Sequence, residues 1–137
     1  MPFEILPHLF LGDSNDAIHL SINTRCVVNC TKNLPFYSTD VQQIRIPVDD
    51  DGNETRLLSL YWTPELFASI VNHIMQGHDV LIHCQMGRQR SAATVAAFIM
   101  STMYWPLDKT IEHIKSVKRD AFFPTVNFIN SLNSLKL

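Results

Sequence analysis

What the chain has little of narrows its reading before any motif does. Only 4 of its 137 residues are glycine and 7 are proline, so it is neither a fibrous repeat nor a low-complexity segment without a core. Its 3 cysteines are an odd number. That argues against a disulfide framework and leaves thiols free for chemistry in a reducing compartment. No apolar run approaches the roughly 20 residues that a membrane helix needs; the longest lies around Ala92 to Met100. The opening stretch MPFEILPHLFLG lacks the basic region and apolar core of a secretory leader, and Pro2 stands where N-myristoylation requires glycine. A net charge of -2 provides no overall basic footprint for nucleic acid. The expectation is a soluble intracellular protein, cytoplasmic, with the nucleus left open.

What is present suits one globular domain spanning residues 1–137, with 46% hydrophobic and 18% charged residues. Phe3 to Leu11 reads as one or two short strands interrupted at Pro7. Asp13 or Ser14 caps a short helix through Leu20. The β-branched run RCVVNC and the alternating QQIRIPV read as strands, and DDDGN, from Asp49 to Asn53, as a loop. Thr63-Pro64 opens a helix whose apolar positions Leu66, Phe67, Ile70, Val71 and Ile74 follow helical spacing up to Gly77. DVLIHC is a buried strand. From Arg90 a helix that is apolar all round runs to a break at Trp105-Pro106. Leu107 to Val117 is an amphipathic helix, and Pro124 is expected to start a last one carrying Val126, Ile129 and Leu132. Strands alternating with helices predict an α/β fold with a central, mainly parallel sheet of about four to five strands flanked by helices. Ligands in such sheets gather at the carboxyl ends of the strands, and Cys84 lies at one of those ends.

The turn HCQMGRQRS between that buried strand and that buried helix crowds a thiol, a glycine and two arginines into a few residues. The amides of a tight loop from Gln85 to Arg90 can converge into an anion nest, and the following helix adds its positive N-terminal end. Gly87 supplies positive φ or room for close backbone approach. Arg90 offers two parallel donors to an oxyanion. A thiol in such surroundings is stabilised as its thiolate, and a thiolate beneath a bound phosphate is a nucleophile aimed at phosphorus. Ser91 is placed to hydrogen-bond the sulfur and ease its departure. A buried cysteine with none of these neighbours is an inert small hydrophobe, the favoured reading for Cys26 and Cys30. His83 reads as a hydrogen-bonding partner of the loop rather than a base. Neither the remaining histidines nor the Asp49–Asn53 run has metal-ligand spacing.

His83-Cys84, five residues, then Arg90-Ser91 resembles the signature of cysteine-dependent protein phosphatases, and the Arg-Ser ending resembles their dual-specificity branch. ILPHLFLGDSNDA, CVVNCT, IRIPVDD and IEHIKSVKRDAFFPTVNF are similar to further segments of that family, so the resemblance runs from about Ile5 to Leu135. It implies a small, catalytic-domain-only enzyme of dual-specificity phosphatase-like fold that needs no metal or organic cofactor. It also implies phosphorylated protein as the substrate, bearing phosphotyrosine and phosphoserine or phosphothreonine. Cys84 would form a cysteinyl-phosphate, while Gln85, Met86, Gly87, Arg88, Gln89 and Arg90 hold the phosphate. An aspartate would serve as general acid: Asp50 by its distance from Pro47, with Asp51 second and Asp49 third. Arg119 is placed by the same resemblance beside the pocket, as a contact for a second acidic group, and is otherwise a solvated charge. Cys30 is a candidate to pair reversibly with an oxidised Cys84. Gln89, where this branch often has serine, and Thr125, where it commonly has asparagine, depart from the pattern. Two other readings stay open: a phosphatase for a non-protein substrate such as an RNA 5′-phosphate, phosphoinositide or phosphoglycan, and a phosphate-binding module without turnover. The residues leave the oligomeric state undetermined.

Overall fold

The structure is a computed structural model that describes residues 1–49 and 60–135. Its strands are β1 (Phe3–Leu6), β2 (Leu9–Gly12), β3 (Thr24–Asn29), β4 (Gln42–Arg45) and β5 (Asp79–His83). They form one five-stranded sheet in the order β1-β2-β5-β3-β4. Only β1 and β2 pair antiparallel; the other three pairings are parallel, as expected. β5 is central, and Ile82 lies beside Leu11 of β2 and Val28 of β3. Being flanked on both sides explains why DVLIH is a continuous apolar run rather than an alternating one.

The helices are α1 (Ser14–Ile18), α2 (Pro64–Met75), α3 (Arg90–Met103), α4 (Leu107–Val117) and α5 (Ile129–Asn133). Asp13, rather than Ser14, caps α1, and its carboxylate and that of Asp16 bond reciprocally to each other's backbone N–H. Thr63 caps α2 through its hydroxyl, with Pro64 in the first turn. Alternation along the strands divides the sheet into two faces. Leu9, Leu11, Cys26, Val28, Val80 and Ile82 face the main core, where they meet α3. Every residue of α3 from Ser91 to Met100 is buried, because this helix is enclosed by the sheet and by α4 and α5. Phe10, Val27, Leu81 and His83 face the other side, over α1 and the segment around Phe36.

Two sequence expectations are revised. QQIRIPV is strand only as far as Arg45; Ile46 makes one more bond, to the Asn29 carbonyl, and Pro47 then has no N–H to continue the ladder. The last helix begins at Ile129, not at Pro124. A helix entered at Phe123 would close its first turn with a bond from the Asn127 N–H to the Phe123 carbonyl. The side-chain amide of Gln89 stands in that bond's place: Nε2 donates to Phe123 O at 3.2 Å, and Oε1 accepts from Asn127 N at 3.1 Å. The backbone groups are satisfied, but by another part of the chain.

Candidate active site

The strand-to-helix turn of the sequence lies where β5 gives way to α3. Cys84 continues the parity of Val80 and Ile82, so its side chain points to the α3 side of the sheet and is buried there. The loop folds back over it with Gly87 at φ +68°, a left-handed conformation that glycine adopts without cost. Gln89 precedes α3 without capping it by its side chain, so the first amides of the helix are not taken up by a side-chain cap. Ser91 Oγ lies 3.1 Å from Cys84 Sγ, and both are buried. Arg90 donates from Nη1 to the carbonyl of Val48 at 3.4 Å, while its buried Nε has no hydrogen-bond partner among the described residues. An orphaned, buried guanidinium N–H beside a thiol fits an oxyanion that would accept from it.

The segment after α4 completes the pocket. Phe122 N donates to Arg88 O at 2.7 Å, and Arg88 Nε reaches Asp120 at 3.1 Å. The other oxygen of Asp120 takes Lys118, a lysine buried under the loop. Burial opposes the charge on Asp120, but the hydrogen bonds and charges of Lys118 and Arg88 outweigh it and hold its pKa below the usual carboxylate value. Phe122 is itself at φ +60° and buried, a strained backbone kept in place by its surroundings. The result is a pocket of about 190 Å³ with Cys84, Met86, Arg88, Gln89 and Arg90 on the loop side and Phe123, Pro124 and Asn127 as the facing wall. A larger, mostly apolar cavity of about 390 Å³ lies on the opposite face of the sheet, bordered by Phe10, Leu20 and Leu81. Cys84 and the loop arginines Arg88 and Arg90 all line the smaller one.

The other residues singled out in the sequence lie as follows. Asp49 is paired with Lys32 at 2.6 Å, whereas Asp50 and Asp51 lie outside the described residues. Val48, the acceptor of the Arg90 bond, precedes Asp50 by two residues in sequence. Arg119 is exposed and is not part of the pocket lining. Cys26, Cys30 and Cys84 are free thiols. Burial pushes Cys26 and Cys30 up to about 12, and Cys30 is hydrogen-bonded to Thr94 at 3.3 Å. His83 is fully buried on the opposite face from Cys84; the Cys84 backbone is a polar neighbour, but neither ring nitrogen makes a hydrogen bond of normal geometry. Burial lowers its pKa, so the ring is neutral. Sequence reasoning missed Lys118 and Asp120 as supports of the loop, although both sit in the segment KRD beside Arg119.

Residues 9–136 match the family model described as the dual specificity phosphatase catalytic domain. The chain belongs to the dual specificity phosphatase family. Among relatives in this family, Protein phosphatase Slingshot of Drosophila melanogaster is 32% identical over 97% of this chain, which spans 13% of that protein. Human Dual specificity protein phosphatase 9 is 30% identical over 96% of the chain, which spans 35% of it. The chain therefore spans only a minor part of these relatives. The crystal structure of human DUSP28 superposes with a TM-score of 0.82 at 27% identity, covering 96% of this chain and 90% of that one. The two structures therefore share one fold over nearly the whole chain. Among the described residues no helix is long and apolar enough to cross a membrane.

Proposed function

We propose that this chain is a protein phosphatase catalytic domain that removes phosphate from tyrosine, and from serine or threonine, through a cysteinyl-phosphate. One observation carries the reading: a buried thiol, a buried guanidinium N–H without a partner among the described residues and the start of a long helix converge on one small pocket. Arg90 and the amides from Gln85 to Arg90 hold three phosphate oxygens and stabilise the charge that develops on them. Cys84 Sγ attacks phosphorus in line with the ester oxygen; the S–P bond forms, the P–O bond breaks, and the leaving oxygen takes a proton from Asp50. In the second step water loses its proton to the same carboxylate and attacks phosphorus. The S–P bond breaks, and the Ser91 hydroxyl, 3.1 Å from the sulfur, donates to the departing thiolate. Inorganic phosphate leaves. The carboxylate of Asp49 is engaged by Lys32 at 2.6 Å.

The relatives that carry protein-phosphatase names support protein over RNA or lipid as the substrate. Arg119, exposed near the loop, would contact an acidic group of the substrate outside the pocket. A reduced, intracellular setting, cytoplasmic or nuclear, suits a mechanism that depends on a free Cys84 thiol. The test is release of phosphate from a small aryl phosphate under reducing conditions. The parent should turn over and Cys84→Ser should not; a parent that releases no phosphate would overturn the reading. Asp50→Asn should lose most activity on poor leaving groups. The same loss in Asp51→Asn, with Asp50→Asn spared, would move the acid by one residue.

A further inference from the structure

Gln89 is the residue of the loop whose side chain, rather than backbone, commands attention. It is 3% exposed, and a buried primary amide brings two donor and two acceptor sites that must be satisfied. Nε2 donates to Phe123 O at 3.2 Å and to Thr125 O at 2.6 Å, and Oε1 accepts from Asn127 N at 3.1 Å. All three partners are backbone groups of the segment that forms the far wall of the pocket, a segment that is neither strand nor helix. The amide occupies the place of that segment's would-be first helical bond and ties the segment, an irregular stretch, to the loop. A serine hydroxyl, shorter and with one donor, cannot span the same three groups.

This clamp has a consequence for the pocket mouth. Phe123 is 61% exposed although it is a large aromatic side chain, and its backbone is held at both edges: its carbonyl by Gln89 and its N–H by the Asp120 carbonyl at 3.2 Å. With Met86, 54% exposed, it puts accessible apolar surface on the pocket beside the arginines. An exposed aromatic on an immobilised backbone is a recognition surface obtained at little ordering cost. We propose that Gln89 is a positioning residue for substrate selectivity. By clamping the 123–127 segment it fixes Phe123 where its ring packs against the ring of phosphotyrosine, and so favours aryl over alkyl phosphoesters. The proposal rests on the phosphatase reading and specifies which phosphoamino acid that site prefers.

The experiment compares kcat/KM for two peptides of one sequence, bearing phosphotyrosine or phosphothreonine. The variants are Gln89→Ala, Gln89→Met (which keeps length and packing but loses the hydrogen bonds), Phe123→Ala, and Gln89→Ala combined with Phe123→Ala. Damage to the shared phosphate cradle lowers both substrates together and cancels in their ratio. The phosphotyrosine-to-phosphothreonine ratio should fall at least fivefold in each folded single variant. The double variant should show no larger fall than Phe123→Ala alone, because both changes remove one interaction. An unchanged ratio in Gln89→Met, or single effects that multiply in the double variant, overturns the clamp while leaving the phosphatase reading intact. A parent inactive on aryl phosphate would instead remove the reading on which the clamp depends.

Discussion

The carbonyl oxygen of Gly12 lies 2.8 Å from the position that a Cβ on Gly87 would occupy. The end of β2 and the crest of the phosphate loop are therefore in backbone contact, and neither partner has a flexible side chain that could yield. Gly12 is confined in turn, since a Cβ there would meet the Asp16 carboxylate at 2.8 Å. The loop takes its shape from the neighbouring strand as much as from its own residues.

Gly87→Ala should consequently be severe. It places a side chain at φ +68° and against backbone; strain of this type costs about 1–3 kcal/mol before any displacement of the loop. Because the loop must shift, activity on an aryl phosphate should fall about a hundredfold or more, and urea melts should show the loss of stability.

Ser91→Ala removes the hydroxyl 3.1 Å from Cys84 Sγ while leaving a small residue at a buried helical position. The thiolate departs in the second step, so that step should slow most. Rapid-quench measurements should show a burst of released alcohol followed by slow turnover. A single-phase time course with parent-like kcat would contradict the role assigned to Ser91.

Asp120→Asn should weaken the tie between Arg88 and Lys118 and leave a buried lysine poorly matched. Asp120 is half exposed, so solvent screening limits the cost to about 1 kcal/mol. The sign with pH follows from the lowered folded pKa of this carboxylate. Its contribution is fully present above the unfolded value near 4 and is lost as pH falls through the folded value. The stability gap between parent and variant should be constant from about pH 5 to 8 and close below about pH 4, as read by urea unfolding across that range.

Cys26 and Cys30, pushed up to about 12 by burial, favour the neutral thiol in the folded state. Their contribution to stability is complete below the unfolded value near 9 and is lost as pH rises from there toward 12. The protein should lose stability steeply in that alkaline window. At pH near 8, iodoacetamide should modify Cys84 in the folded protein, with Cys26 and Cys30 reacting only after unfolding, as peptide mass spectrometry would show.

The reach of sequence reasoning here follows the range of the forces involved. The turn HCQMGRQRS could be read as a phosphate site because strand, glycine, arginine and helix start are contiguous, and their geometry follows from local backbone preference. Apolar runs placed strand at Phe3–Leu11, RCVVNC and DVLIHC and helix at α3, alternation placed QQIRIPV, and helical spacing placed α2 and α4, because each pattern records which sides of an element are buried. The tertiary structure decided what depends on contacts between distant segments. Gln89 looked like a departure at the pocket wall, but it meets partners 34 to 38 residues away. Those partners are backbone groups, which no side-chain pattern advertises. The same bonds overrode the helix expected from Pro124, since a buried amide offering two donors and an acceptor outcompetes one helical turn. Lys118 and Asp120 carry no pattern in the sequence that marks them as loop supports; folding packs the lysine under Gly87, where its only inexpensive state is a paired one. The residue types of the turn were thus legible locally, whereas the packing of the loop against Gly12 and the shape of the facing wall were decided by long-range contacts formed only once the sheet had brought those segments together.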